Sequence, residues 1–344
     1  MKRYLHFVTK PYSFPVIKPL LETINNYKKG ESLVYVHKSI LDKVPSYVSS
    51  NVTDSIYDAI KFKPDIVFIP GNIVHPNLPG IKVQVFHGLC EEKGGHYKIT
   101  GFFDIYCTSG PLITSKFKRL EKKYGHFVVV ETGWPKVDYI LSYELDQKYR
   151  EKIVGNTSMK VILYAPTFSP KFKSTSKLMP VLSSIIRDDE IVIVKFHDLA
   201  RREEINEAKK IGDNRIIVLK DADNVPLLHL ADILISDTSS IVYEFLLLGK
   251  PVITIGAKVR QEKGINLKDV NLLRAAIDKL RENPDLNLEA RDKIITQVQA
   301  YRDTKNSLRV IESVDKIIES GALSKLRKKP LNFFRKYQAY RFFN

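Results

Sequence analysis

Three polar features stand at or just beyond apolar, strand-like runs. His87 follows Val83–Phe86, His197 follows Ile191–Val194, and the turn Asp237-Thr238-Ser239-Ser240 follows Ile233–Ile235. These residue types suit transfer of a phosphorus-linked group. A neutral imidazole titrates near working pH and can take the proton of an attacking hydroxyl. Backbone N–H groups, hydroxyls and cations can hold a diphosphate and stabilise charge on a departing phosphate. His87 is followed by Gly88, with Gly94 and Gly95 close behind, which suits a loop pressed against a ligand. His197 stands beside Lys195, and Thr167 lies in Tyr164-Ala165-Pro166-Thr167-Phe168 after another apolar run. Glu244, one turn beyond Ser240, is placed to bind donor hydroxyls. Each has a plainer reading: His87 as a strand-end histidine, Lys195-Phe196-His197-Asp198 as a surface turn, Thr167 as a turn cap, Asp237 or Ser239 as a helix cap, and Glu244 as a solvated charge.

The elements that must position these residues follow from periodicity. Tyr4–Val8, Leu33–Val36, Ile66–Ile69, Val83–Phe86, Ile105–Cys107 and Phe127–Val130 read as strands separated by helix-forming segments. Val161–Tyr164, Ile191–Val194, Ile216–Leu219, Ile233–Ile235 and Val252–Ile255 form a second series. Such alternation predicts two doubly wound α/β sheets, in which ligands bind beyond the carboxyl ends of the strands. The polar stretch 142–158 is the expected connection between domains. After Ile255 the pattern turns helical, at Ala275–Leu280, Ala290–Val298 and Leu308–Ile318. The expected division is a first domain over 1–150, a second over 151–322 and a tail over 323–344.

A chain of 344 residues with 44% hydrophobic content supports two cores, and its net charge of +16 favours phosphate-bearing partners. Two cysteines give neither a disulfide framework nor a CxxC pair, and no carboxylate cluster has metal-ligand spacing, so a divalent ion is not demanded. No segment reaches the roughly 20 apolar residues that span a bilayer, and no signal peptide opens the chain, which predicts a cytoplasmic protein. The tail interleaves Lys325, Arg327, Lys328, Lys329, Arg335, Lys336 and Arg341 with Phe333, Phe334, Tyr337, Tyr340, Phe342 and Phe343, and has no Asp or Glu. That composition suits an anionic membrane surface; the alternatives are a docked terminal helix and a nucleic-acid arm.

The ordered set FHGLCEEKG, TSGP (108–111), TGWPKVD (132–138), LYAPTF (163–168), VKFHD (194–198) and ADILISDTSSIVYEFLLLGKPVI (231–253) resembles the CDP-glycerol glycerophosphotransferases of teichoic acid synthesis. The resemblance implies a GT-B fold, two Rossmann-like doubly wound domains facing across a cleft, and transfer of glycerol phosphate from CDP-glycerol with release of CMP. It implies His87 as the acceptor-activating base and His197 as a diphosphate ligand. Gly88, Lys195, Thr167, Asp237, Thr238, Ser239, Ser240 and Glu244 would bind substrate. It also implies a lipid-linked saccharide acceptor; the tail's composition would bring Lys325, Arg327, Lys328, Lys329, Phe333, Phe334, Arg335 and Lys336 to the inner face of the cell membrane. The chain departs from the family at Asp198, where a proline is common, and at Asp303-Thr304-Lys305-Asn306-Ser307-Leu308-Arg309, where a glycine-containing motif is usual. Its length is similar to that of the priming members. A nucleotide-sugar glycosyltransferase shares most of these features; an epimerase would need acids near the sugar, for which Glu91, Glu92 and Glu131 are candidates, and a non-enzymatic binding protein is the remaining class.

Overall fold

The computed structural model describes residues 1–48, 51–89, 94–155, 158–169, 173–220 and 223–343. The chain forms two compact units, 1–139 with 297–344 and 140–296.

The first unit is built on a parallel sheet of β1 (Lys2–Val8), β2 (Gly30–Val36), β3 (Val52–Thr53), β4 (Ile66–Ile69), β5 (Ile81–Gln84), β6 (Ile105–Thr108) and β7 (Val128–Glu131), in the order β3-β2-β1-β4-β5-β6-β7. Alternate residues serve opposite faces: Leu5, Phe7 and Tyr35 enter one core, Val8, Val34 and Val36 the other. Burial on both faces is what continuous apolar strands require. The chain winds outward one way from β1 and the other way from β4, which leaves a crevice beyond the carboxyl ends of that pair.

The second unit has β8 (Lys160–Ala165), β9 (Glu190–Lys195), β10 (Ile216–Leu219), β11 (Ile233–Ser236), β12 (Val252–Ile255) and β13 (Ile265–Leu267) in the parallel order β10-β9-β8-β11-β12-β13. Its switch point lies between β8 and β11. A fully buried Glu190 at the amino end of β9 receives Arg274 at 2.7 Å and Arg281 at 2.6 Å, which fixes helix Leu273–Glu282 under the sheet.

Two boundaries differ from the sequence expectation. Residues 142–158 are not a simple connection, because Gln147–Val154 is helical, capped by the Asp146 side chain and ended at Gly155; the division falls instead within helix Lys136–Ser142. The second unit closes at Thr296, not at 322, and helix Asn306–Glu319 packs with helix Phe14–Asn26 of the first unit. Periodicity identifies an amphipathic helix but not the core it covers. The strands β3 and β13 were also missed, since two or three residues are too few to show a period.

Candidate functional site

In the second unit the candidate donor-side residues gather at the β8–β11 switch point. Asp237, at the end of β11, is fully buried and faces inward. It accepts hydrogen bonds from the Thr167 N–H at 3.0 and 3.1 Å, and from the Ser174 N–H at 3.1 Å and hydroxyl at 3.2 Å. Burial pushes its carboxyl up to about 6 despite those donors. The carboxylate therefore ties the β8 loop to the β11 turn and does not cap the following helix. Its oxygens are directed at those donors and away from the surface of the turn.

The next three residues line that surface. Thr238 has an enclosed hydroxyl with no hydrogen-bond partner among the described residues. Ser239 and Ser240 are partly exposed, and Ser239 Oγ reaches the Ile241 N–H only at 3.5 Å, too long for a strong cap. Helix Ile241–Leu246 is six residues long, so the turn's hydroxyls and N–H groups, more than a macrodipole, must supply any attraction for phosphate. Glu244 is buried rather than solvated.

At the end of β9, His197 Nδ1 accepts the Leu199 N–H at 3.1 Å, and the ring lies 4.5 Å from that of Phe168. In the neutral ring this places the proton on Nε2, which is then a donor. Lys195 is buried, donates to the Phe196 carbonyl at 2.8 Å and lies 3.6 Å from Asp198. The aspartate that replaces the usual proline is thus half of a charge pair within the turn.

The loop after β12 carries residues that the sequence reading missed. Asn266 Oδ1 accepts from Thr254 Oγ1 at 3.0 Å and from the Ala257 N–H at 2.9 Å, which folds the loop back. Lys263 is nearly fully buried with Nζ 5.3 Å from the centre of the Tyr243 ring, and Arg260 adopts φ 50. A basic cluster just beyond a strand's carboxyl end was the available signal.

In the first unit His87 stands near the β1–β4 switch point. Tyr12, beyond β1, lies 5.0 Å from its ring, and Pro70, beyond β4, accepts a hydrogen bond from His87 Nδ1 at 3.2 Å. A carbonyl can only accept, so Nδ1 carries a proton, and in the neutral ring Nε2 is the acceptor nitrogen. The two histidines thus hold opposite tautomers, His87 as an acceptor and His197 as a donor. His87 is exposed, whereas burial drives nearby His96 down to about 3, so that it serves as a neutral ring stacked on Phe86.

The backbone just before His87 is strained. Phe86 has φ 58, an outlier for a bulky residue, and its carbonyl accepts from Trp134 Nε1 at 3.2 Å. Trp134 belongs to the TGWP turn, whose Gly133 has φ 78 and would place a Cβ 1.7 Å from Asn306 Oδ1. Asp138 accepts from the N–H groups of Asn306 at 2.9 Å and Ser307 at 2.7 Å. Arg309 donates to Asp303 at 2.6 Å and to the Thr132 carbonyl at 3.2 Å. The segment 303–309 therefore packs in the first unit against TGWP, and Thr304 takes φ 57 in the motif where the family's glycine is usual. Ser109 and Gly110 are spent on packing: Ser109 Oγ donates to the Val298 carbonyl at 2.7 Å, and a Cβ on Gly110 would meet that residue at 2.7 Å. Glu131 receives Thr114 at 2.6 Å, while Glu91 and Glu92 lie outside the described residues.

The tail folds as helix Phe333–Phe343 and divides its residues between two faces. Ala339 and Phe343 are buried in the first unit's core. Arg335 donates to the Ile99 carbonyl at 2.7 Å, and Lys329 to that of Phe102 at 2.8 Å and to Asp104 at 2.6 Å. These two cations therefore turn inward, unlike the membrane-facing placement expected for them. Leu331, Phe333, Phe334 and Tyr337 are 66, 74, 72 and 60% exposed. Among the described residues no helix is long and apolar enough to cross a membrane, and no three His, Cys, Asp or Glu side chains converge as for a metal.

The chain is similar to several proteins of known activity or structure. The chain is 25% identical to the teichoic acid ribitol-phosphate polymerase TarL of Staphylococcus aureus, over 62% of this chain and 44% of that protein. It is 28% identical to the teichoic acid glycerol-phosphate primase of Bacillus subtilis, over 53% of this chain and 52% of the primase. It spans about half the length of these curated relatives. Its structure matches that of the wall teichoic acid polymerase TagF with a TM-score of 0.68 at 18% identity, covering 92% of this chain and 89% of that one. A UDP-GlcNAc 2-epimerase from Neisseria meningitidis matches with a TM-score of 0.67 at 14% identity, over 91% and 100% of the two chains. These likenesses establish the fold, GT-B with two Rossmann-like domains. The family CDP-Glycerol:Poly(glycerophosphate) glycerophosphotransferase matches residues 101–316, well over half of the sequence, and the chain belongs to it.

Proposed function

We propose that the protein transfers glycerol phosphate from CDP-glycerol to a hydroxyl of a lipid-linked saccharide at the inner face of the cell membrane, releasing CMP. The observation that carries this reading is the tautomer of His87: with Nδ1–H committed to the Pro70 carbonyl, the ring of an exposed histidine offers Nε2 as a proton acceptor. His87 takes the acceptor's proton as the hydroxyl oxygen attacks the glycerol-bearing phosphorus. The P–O bond to CMP breaks, and the leaving phosphate takes up the charge. His197 Nε2–H, the Thr238, Ser239 and Ser240 hydroxyls, and Lys195 stabilise that charge. Thr167 shapes the same surface through its N–H to Asp237, Gly88 keeps the His87 loop close, and Glu244 binds glycerol or ribose hydroxyls. Support for the donor class comes from the family and from a TagF structure soaked with CDPG. The exposed aromatic face of the tail, with Lys325, Arg327, Lys328 and Lys336, supplies peripheral contact with anionic lipid.

The test is incubation with CDP-glycerol, CDP-ribitol or UDP-sugars and a lipid-linked disaccharide, followed by mass spectrometry of the products. One or more glycerol phosphate units added, with CMP released, is the expected result. A product carrying ribitol phosphate or a sugar instead would overturn the donor assignment.

A further inference from the structure

The segment that leads into the tail helix, and the helix itself, hold both backbone stretches that frame His87. On one side, Lys329, Asn332 and Arg335 donate in succession to the carbonyls of Phe102, Thr100 and Ile99, at 2.8, 2.8 and 2.7 Å. That stretch follows helix Gly94–Tyr97, where His96 stacks on Phe86 at 4.8 Å, the residue whose strained backbone precedes His87. On the other side, Tyr340 donates to Asn77, and His75 makes edge contacts with Tyr340 at 5.2 Å and Phe343 at 5.7 Å. Residues 71–78 follow directly on Pro70, whose carbonyl sets the His87 tautomer, and Asn72 is tied to Gln84 at 3.0 Å, just before the His87 loop. The fit is specific. Gly101, at φ 79, leaves room for Asn332, since a Cβ there would lie 2.2 Å from Asn332 Nδ2 and 2.8 Å from Pro330 Cγ.

A segment that only met a lipid surface would need no hydrogen bonds to the stretches on either side of His87. Three successive side-chain bonds to backbone carbonyls instead fix a loop that has no ladder of its own. We propose that the C-terminal segment is a clamp on the His87 loop, with Lys329, Asn332 and Arg335 as positioning residues, so that proton transfer depends on the tail even when no membrane is present. This rests on His87 being the acceptor-activating base.

The test uses the full chain, CDP-glycerol and a soluble acceptor analogue without vesicles. The Asn332→Ala/Arg335→Ala variant should lose about 10- to 100-fold in kcat, the scale of a small misplacement of a catalytic group, while its KM for CDP-glycerol stays within about twofold. Arg335→Lys should recover much of the rate, and amide hydrogen exchange over 94–102 should rise in the double variant. Gly101→Ala, which crowds the same groove from the opposite side, should reproduce the pattern if the double variant folds poorly. Unchanged kcat, or unchanged exchange over 94–102 in a folded variant, would overturn the clamp. If His87→Ala itself retains full turnover, the base assignment fails, and the exchange measurement still decides whether the tail holds the loop.

Discussion

Trp134→Phe probes the device that aims His87. The indole is 1% exposed and donates Nε1–H to the Phe86 carbonyl at 3.2 Å. Its backbone N–H, bound to Gln299 at 3.1 Å, is unaffected by the substitution. Loss of the side-chain bond removes about 1 kcal/mol directly, and the buried carbonyl left without its donor adds about 1–3 kcal/mol. The left-handed backbone of Phe86 stores on the order of 1–3 kcal/mol that this bond helps to hold. Release of that strain offsets part of the loss in stability but lets the residue before His87 relax toward ordinary backbone. A fall of about 1–3 kcal/mol in unfolding free energy by urea is therefore expected. A larger consequence appears in turnover, with CMP release to acceptor reduced about 10- to 100-fold and the thermal shift produced by CDP-glycerol preserved. Turnover within twofold of the unaltered protein, alongside the loss of stability, would show that Phe86 strain does not aim the base.

Three further outcomes follow from the same geometry. Thr304→Gly should stabilise the chain by about 1 kcal/mol in urea unfolding, because a β-branched residue at φ 57 is strained and glycine is not; a loss would mean that the methyl and hydroxyl contribute more than the backbone strain. Ser239→Ala/Ser240→Ala should weaken CDP-glycerol binding by about 1.5–3 kcal/mol per hydrogen bond lost to a charged oxygen, read by calorimetry, and unchanged affinity would leave the turn as a structural element alone. The third concerns Asp237, whose carboxyl is raised to about 6 by burial. With the folded value above the unfolded value of about 3.9, its contribution to stability is complete below pH 4 and is lost as pH rises through 6. Asp237→Asn cannot ionise, so its deficit relative to the unaltered chain should shrink by about 2 kcal/mol between pH 4 and 7, and a deficit constant with pH would refute the assignment.

Much of this was legible because parallel strands buried on both faces leave uninterrupted apolar runs, and the end of such a run locates its loop. His87, His197, Thr167 and the 237–240 turn were placed just beyond strands in that way. Direction was harder to read. Asp237 is polar and strand-terminal whether it faces a ligand or its own loops, and only the folded chain shows it turned onto Thr167 and Ser174. Phe86 gives no sign of its positive φ, since the Trp134 bond that sustains it spans 48 residues. The tail's composition suggested an anchor as a whole, yet its helical turn sends Ala339 and Phe343 into the core and leaves Phe333, Phe334 and Tyr337 outside. Lys329 and Arg335 read as lipid-facing charges until their carbonyl partners, more than 200 residues away, are known.

The central claim is that Nε2 of His87 removes the acceptor's proton. His87→Ala, assayed side by side for CMP release in the presence of acceptor and for thermal stabilisation by CDP-glycerol, tests it most directly. The account predicts CMP release lowered by about 10²–10⁴-fold, the usual scale for loss of a general base, with donor stabilisation intact. Near-normal CMP release from the folded variant would contradict it.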